Sequence, residues 1–249
     1  MKNLWVVKPK PLISPKIRLL CFAYAGGGTS VYHSWKDKLP NYVELNIVQL
    51  PGRGTHFSQK PIDNMGNLVA DLMPNIENIL QGKYIIFGHS LGSRIAFEVV
   101  RQAMLIGLSP PLHFFASGSL SPGTVCTDKK LYDLPADEFI KELKEINGTP
   151  DEVLSNKQFM ELLLPTIRAD FKIAAQYRFN DSFLIPSPIT VISGKNDSLS
   201  ICKLQMWEKY FTKCKIIMCE GGHFFIDEYP DQVISIVKEV VALKALDLA

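Results

Sequence analysis

The chain has 249 residues, of which 47% are hydrophobic, and its formal net charge is +2; this size and apolar content suit a soluble domain with a sizeable core. Charged residues of both signs are mixed along the chain, which argues against a nucleic-acid-binding protein, and no apolar run approaches the roughly 18 residues of a membrane span. Five cysteines, an odd number without a Cys-x-x-Cys pair, favour reduced thiols in a cytoplasmic protein.

Apolar, strand-like runs alternate with helical patterns along the chain. The first apolar run, Leu4–Val7, is cut off by Lys8 and Pro9 and is too short for a signal peptide. Strands are predicted at Leu19–Ala23, Val43–Leu50, Tyr84–Phe87, His113–Ala116, Ile189–Ser193 and Lys215–Met218. Helices are predicted at Asn64–Leu80 (with a kink or break at Pro74), Leu91–Ile106, Ile201–Tyr210 and Gln232–Leu243. This alternation predicts an α/β protein with a doubly wound, mostly parallel sheet.

One block departs from the alternation. From about Thr127 to Asn180 no strand is predicted, and three helices are expected instead, at Pro135–Ile146, Lys157–Leu164 and Pro165–Phe179, the last with its proline in the first turn. An insertion of this kind between two strands is typical of a lid over an active site. The alternative is a helical subdomain that only enlarges the core. We therefore expect a single domain over residues 1–249 with a lid insertion at about 127–180.

The segment from Gly88 to Gly92 reads Gly-His-Ser-Leu-Gly, between a predicted strand and a predicted helix. This pattern is typical of a nucleophile elbow, in which a sharp turn exposes the hydroxyl of Ser90. The two glycines would allow strand and helix to approach closely. A chance match in a turn rich in glycine and serine is the alternative, and the flanking strand and helix argue against it.

A serine nucleophile needs a base, and the base needs an orienting acid. Elbow-type enzymes order these residues as serine, acid, histidine. Asp197 follows the strand Ile189–Ser193, and His223 follows the strand Lys215–Met218 after two glycines. Both would lie at the carboxyl ends of strands, where functional groups of open sheets collect. The alternatives are a turn or helix-cap role for Asp197 and a packed histidine for His223.

Stabilisation of an oxyanion requires two N–H donors. The first candidate is the amide of Leu91, which follows the serine. The loop Tyr24–Gly28 comes after the first predicted strand, and Ala25 is the candidate for the second donor. A mobile glycine turn is the alternative; phosphate binding is disfavoured because the Lys-Ser/Thr ending of a nucleotide loop is absent.

The other histidines do not fit the chain order expected of the base. His33 and His56 precede Ser90, His113 begins a predicted core strand, and His89 is expected to be buried beside the elbow. No cluster has metal-ligand spacing, so neither a metal nor another cofactor is expected.

Several segments, in this order, resemble those of the type II thioesterases. These are members of the α/β-hydrolase superfamily that act as stand-alone editing enzymes in nonribosomal peptide and polyketide biosynthesis. The resemblance covers about Leu19 to Tyr229 and rests on Phe22–Gly27, Leu50–Arg53, Gly88–Gly92, Asn147–Pro150, Pro165–Phe171, Gly194–Asp197 and Gly221–Phe225. In the family, the alanine amide of the first of these segments serves the oxyanion hole.

The resemblance implies an α/β-hydrolase fold and hydrolysis of acyl thioesters held on the phosphopantetheine arm of carrier proteins, by a monomer without a cofactor of its own. Lys129, Lys130 and Arg168 are candidates for steering an acidic carrier. The chain departs from the family at Ala23, where proline is usual, and at Gly54–His56, where an acidic residue and another arginine are usual. These differences leave the triad intact and concern the pocket rim and partner docking. Arg53 is expected to bond loop carbonyls rather than a ligand.

Three rivals remain at this point. A carboxylester hydrolase or lipase would use the same triad and prefer oxygen esters. A product-releasing or cyclising thioesterase would be a domain fused to a synthetase. A binding protein on a hydrolase fold would have lost part of the triad, whereas Ser90, Asp197 and His223 are all present.

Overall fold

The computed structural model describes residues 5–124, 130–146 and 154–248. Its centre is a seven-stranded sheet with the strand order β1-β3-β2-β4-β5-β6-β7. The strands are β1 (Val6–Val7), β2 (Ile17–Phe22), β3 (Val43–Val48), β4 (Tyr84–His89), β5 (His113–Ser117), β6 (Ile185–Gly194) and β7 (Phe211–Cys219). All neighbours are parallel except β1 and β3. The predicted mostly parallel sheet is confirmed.

The short strand β1 was not predicted. Val6 lies opposite Val48 and Val7 opposite Ile47 in an antiparallel pair at the edge of the sheet. Two residues are too few to show any periodicity, so only pairing with β3 makes this segment a strand. The six predicted strands all exist.

Both faces of the sheet are covered. Every residue of β4 and β5 is buried, which explains why these strands lack polar alternation. Within β2, Leu20 and Phe22 belong to one hydrophobic cluster, whereas Leu19 and Cys21 belong to the cluster on the opposite face. The sheet is therefore the middle of three layers.

Helices pack on both faces and in the insertion. They are α1 (Ser30–His33), α2 (Met65–Leu80), α3 (Leu91–Leu105), α4 (Ala136–Ile146), α5 (Lys157–Gln176), α6 (Ile201–Gln205), α7 (Phe225–Glu228) and α8 (Pro230–Leu246). Helices α2 and α3 pack on the first face and α8 on the second. Among the described residues, none of these helices is both long and apolar enough to cross a membrane.

Helix α2 contains Pro74 and has no break there, and the alternative of a kink stays a prediction. Helix α5 runs through Pro165, so the prediction of two helices at Lys157–Leu164 and Pro165–Phe179 was wrong and the two are one. A proline removes one main-chain hydrogen bond. In α5 the neighbouring residues Leu164, Thr166 and Ile167 are buried, and this packing outweighs the loss.

The insertion between β5 and β6 forms a small core of its own. Phe139 and Leu143 of α4 pack against Met160, Leu164 and Ile167 of α5. The described residues 130–146 and 154–180 contain no strand, in agreement with the prediction. The segment Asn147–Pro150, on which the resemblance rests in part, lies outside the described residues, as does Lys129.

The parallel order brings four loops to one edge of the sheet. Strands β2, β4, β6 and β7 end at Phe22, His89, Gly194 and Cys219. The predicted site residues follow these ends within a few positions. Carboxyl ends of parallel strands lie at the same edge, so residues distant in sequence meet there.

Candidate active site

Ser90 occupies a strained turn between β4 and α3. Its φ of 53° and ψ of −119° are unusual, and it is the only non-glycine residue with a positive φ among the described ranges. A Cβ atom on Gly88 would lie 2.4 Å from the main chain of Ser93, and one on Gly92 would lie 2.3 Å from the carbonyl oxygen of Phe22. Larger residues at either position would force the elbow apart. The predicted strand–turn–helix context is present.

An unbroken chain of hydrogen-bond contacts joins the three predicted side chains. Nδ1 of His223 lies 2.9 Å from Oδ2 of Asp197, and Nε2 of His223 lies 3.0 Å from Oγ of Ser90. The side chain of Asp197 is 3% exposed and that of His223 is 30% exposed. The acid is therefore shielded, while the imidazole faces an accessible space.

Glycines allow the acid and base loops to interlock. The amide of Asn196 donates to the carbonyl of Gly221 at 3.0 Å, and the amide of Lys195 donates to that of Cys219 at 2.8 Å. Gly221 has a φ of 97°, and a Cβ on Gly194 would lie 2.2 Å from the carbonyl oxygen of Gly222. Gly221 therefore needs to be glycine for its conformation, whereas a Cβ on Gly222 would meet no atom within 4 Å.

His89 contacts the main chain of His223, the predicted base. It is fully buried, its Nε2 lies 3.0 Å from the carbonyl oxygen of His223, and its Nδ1 lies 2.8 Å from Oγ of Ser117. A carbonyl only accepts, so Nε2–H donates to it and the Ser117 hydroxyl donates to Nδ1. Burial, and then the neighbouring His223, hold the pKa of His89 well below its usual range. The sequence predicted the burial but not this contact.

The two residues predicted as oxyanion donors share a cavity with the serine. Ala25 and Leu91 line the same cavity as Ser90 and His223. Among the described residues, the main-chain hydrogen bonds include none donated by the amides of Ala25 or Leu91.

Arg53 and Asp170 form a buried, two-armed ion pair, with side chains 10% and 2% exposed. Nη1 and Nη2 of Arg53 each donate to one carboxylate oxygen at 2.8 Å. Arg53 also donates to the carbonyl oxygen of Gly27 at 3.0 Å, and the amide of Gly26 donates to Asp170 at 2.7 Å. Arg53 bonds a loop carbonyl as expected, but its main partner on helix α5 was not foreseen.

A cavity of about 680 Å³ opens above the serine. Leu131, Ile146 and Phe171 of the insertion form part of its wall. A second cavity, of about 310 Å³, adjoins it and is lined by Gly26, Arg53, Phe57 and Leu163 among others. Tyr24, Ala25, Phe171 and Phe224 line both cavities. The combined space has the size and apolar character of a small-molecule site.

The chain matches the model of the Thioesterase domain over residues 17–241. The chain belongs to the thioesterase family.

Individual relatives agree with this assignment. The thioesterase is 34% identical to the gramicidin S biosynthesis protein GrsT of Aneurinibacillus migulanus over 228 residues, which are 91% of this chain and 89% of GrsT. It superposes on the crystal structure of ClbQ from the colibactin NRPS/PKS pathway with a TM-score of 0.88 and 32% identity, over 93% of this chain and 99% of ClbQ. The type II thioesterase BorB from the borrelidin biosynthetic cluster gives a TM-score of 0.86 at 26% identity, over 95% of this chain and 97% of BorB.

These similarities confirm the resemblance to type II thioesterases and the α/β-hydrolase fold. The thioesterase is a hydrolase that acts on thioesters. In the part of the chain that the structure describes, no group of three or more His, Cys, Asp or Glu residues is arranged to hold a metal ion.

Lys130 and Arg168, which were predicted to steer an acidic carrier protein, differ in their surroundings. Lys130 is exposed at the edge of the insertion. Nη1 of Arg168 donates to the carbonyl oxygen of Tyr132 at 2.7 Å, and its guanidinium lies 4.7 Å from the centre of the Phe139 ring. Arg168 therefore has a structural role within the insertion, which was not expected.

Proposed function

We propose that Ser90, His223 and Asp197 hydrolyse acyl or aminoacyl thioesters held on the phosphopantetheine arm of carrier proteins. The observation that carries the proposal is the continuous contact from Asp197 through His223 to Ser90, at the floor of a cavity large enough for an acyl group. Ala25 and Leu91 would supply the oxyanion hole.

The first half of the reaction forms an acyl-enzyme. Oγ of Ser90 attacks the thioester carbonyl carbon while Nε2 of His223 accepts the hydroxyl proton. The amides of Ala25 and Leu91 stabilise the resulting oxyanion, and such donors are each worth about 3 kcal/mol in comparable sites. The carbon–sulfur bond then breaks, and His223 returns the proton to the departing sulfur. Asp197 accepts the hydrogen bond from Nδ1–H and stabilises the cationic imidazole.

The second half releases the acid. A water molecule attacks the acyl carbon of the ester on Ser90, and His223 accepts its proton. The carbon–oxygen bond to Ser90 breaks, and His223 returns a proton to Oγ. The products are a free carboxylic acid and the thiol of the arm. Every proton is handled by His223, so no metal or redox cofactor is needed.

The assembly-line context is supported by the relatives. GrsT is named for gramicidin S biosynthesis, and ClbQ for the colibactin NRPS/PKS pathway. In such pathways a stand-alone thioesterase would clear misprimed or stalled carriers. Leu131 and Ile146 of the insertion would cover the arm as it enters the larger cavity.

Ser90→Ala tests the serine mechanism. Removal of the nucleophile is expected to lower kcat by on the order of 10³-fold or more, with little change in the melting temperature. A fluorophosphonate probe should label the wild-type protein at Ser90 and leave the variant unlabelled. Unchanged thioester hydrolysis by the variant would refute the mechanism.

The substrate class is tested with matched acyl groups. We expect kcat/KM to be higher for an acyl-phosphopantetheinyl carrier protein than for the free acyl-pantetheine, and higher for either than for the corresponding oxygen ester. The advantage of the carrier should shrink as ionic strength rises, since acidic carriers are steered by charge. A preference for the oxygen ester would indicate a carboxylester hydrolase. Equal, salt-independent values for the carrier and free substrates would exclude carrier recognition, and a cyclic product would indicate a product-releasing enzyme.

A further inference from the structure

The loop that carries Ala25 forms a tight turn. The amide of Gly27 donates to the carbonyl oxygen of Tyr24 at 2.9 Å, and Gly26, at the third position, has a φ of 77°. A positive φ at this position is the signature of a type II turn, which requires glycine there. The turn places Ala25 at its second position.

The direction of the Ala25 amide follows from this turn. The carbonyl of Tyr24 and the N–H of Ala25 belong to one planar peptide group and point in opposite directions. Because the carbonyl accepts from Gly27, the Ala25 N–H faces away from the interior of the turn. Whatever holds Gly26 and Gly27 therefore also aims this N–H group.

Helix α5 holds the turn from the outside. One carboxylate oxygen of Asp170 accepts from both the Gly26 amide, at 2.7 Å, and Nη1 of Arg53, at 2.8 Å. The same Nη1 donates to the carbonyl oxygen of Gly27 at 3.0 Å. One turn earlier on α5, Cγ1 of Ile167 would lie 3.3 Å from a Cβ placed on Gly26, so the helix packs directly against the turn.

We propose that Asp170 is a positioning residue for the Ala25 amide, so that the oxyanion hole is complete only while α5 is docked on the turn. The proposal rests on the proposed function, in which Ala25 is an oxyanion donor. Asp170 touches neither the nucleophile nor the base, and it acts through Gly26 and Arg53. A helix of the insertion thereby contributes to transition-state stabilisation as well as to the cavity wall.

Asp170→Asn is the principal test. The amide keeps the shape of the carboxylate but cannot accept from Arg53 with both of its terminal atoms. We expect kcat to fall by about 10- to 100-fold with KM nearly unchanged, because a misplaced donor weakens binding of the transition state only. A boronic acid that forms a tetrahedral adduct on Ser90 should lose affinity by a comparable factor.

Thr166→Val is the matched control. Thr166 lies on the same helix, is buried, and donates from Oγ1 to the carbonyl oxygen of Gly52 at 2.9 Å. This hydrogen bond ties α5 to the loop of Gly52 and Arg53 and does not involve the turn. We expect this variant to lower the melting temperature while keeping kcat and boronate affinity within about threefold of wild type; because Thr166 also lines the smaller cavity, any effect on the substrate should be confined to KM.

The outcomes separate the proposal from its premise. If both variants lower kcat equally, or if Asp170→Asn keeps wild-type kcat and boronate affinity, the positioning role is wrong even though Ser90→Ala is inactive. If Ser90→Ala is active, the proposed function itself fails.

Should Asp170→Asn give no cooperative melting transition, Arg53→Lys replaces it. Lysine keeps the charge but loses the two-armed contact, so kcat should fall by about three- to tenfold at constant KM, and a wild-type kcat would overturn the proposal.

Discussion

His89 donates a hydrogen bond from Nε2–H to the main-chain carbonyl oxygen of His223 at 3.0 Å. The residue before the proposed nucleophile Ser90 thereby holds the main chain of the proposed base. A Cβ on Gly118 would lie 2.8 Å from Cε1 of His89, so this glycine leaves the space in which the imidazole sits. The elbow and the base loop are one structural unit.

His89→Leu should uncouple this unit. Leucine fills similar space but cannot donate, so the carbonyl of His223 loses its partner and the base is less well placed. We expect kcat to fall by about 10- to 100-fold with a small change in KM. His89→Gln, whose amide can still donate to the carbonyl, should recover part of the loss. Wild-type kcat in His89→Leu would show that the contact has no part in positioning.

Asp197→Asn tests the acid of the triad. An amide favours the wrong tautomer of His223, so kcat should fall by on the order of 10³- to 10⁴-fold while the fold persists. Glu220→Gln is a suitable control, because Glu220 lies on the loop beyond β7 but is exposed and pairs with Lys195. If the kcat of Asp197→Asn equals that of the Glu220→Gln control, another carboxylate orients His223.

Two buried histidines should make stability depend on pH. Burial lowers the pKa of His113 from 6.5 to about 3, and it holds the pKa of His89 well below its usual range. Both are neutral in the folded protein, whereas the unfolded chain takes up protons below about pH 6.5. The free energy of unfolding should therefore decrease as pH falls from 6.5 towards 3, with a limiting slope of about 1.4 kcal/mol per pH unit for each histidine.

His113→Gln isolates one of these contributions. The glutamine can still contact Oγ1 of Thr190, which lies 2.9 Å from Nε2 of His113, but it does not titrate. Between pH 6.5 and 5, the free energy of unfolding measured by urea denaturation should fall with pH by about 1 kcal/mol per pH unit less than in wild type. An identical slope would mean that His113 takes up its proton in the folded state.

Hydrogen exchange should divide the insertion into two parts. Helix α5 is joined to the main body by Asp170, by Thr166 and by Lys172, which pairs with Asp63 at 2.6 Å. Helix α4 is held chiefly through its apolar contacts with α5. We expect the amides of α4 to exchange faster than those of α5 and of strand β4. Protection of α4 equal to that of β4 would contradict the expectation that α4 is the more mobile part of the lid.

Local signals in the sequence were sufficient to predict strands β2 to β7 and to select the three predicted catalytic side chains. Glycines around Ser90 and before His223 mark turns that larger residues cannot adopt, and apolar runs mark buried parallel strands. Because such strands end at one edge, Asp197 and His223 could be assigned to one site from their positions after strands. These signals depend only on residues close in sequence, so the sequence by itself determined the strands and turns that they predict.

Other features depend on contacts between distant parts of the chain, and only the tertiary structure decided them. Strand β1 exists because Val6 pairs with Val48, and α5 continues through Pro165 because its flanking residues are buried. The partner of Arg53 proved to be Asp170, 117 positions away. No local pattern encodes such a pairing, because it forms only when the insertion packs onto the rest of the domain. Burial of a single charge would be strongly unfavourable, and each of these two charges offsets that cost for the other.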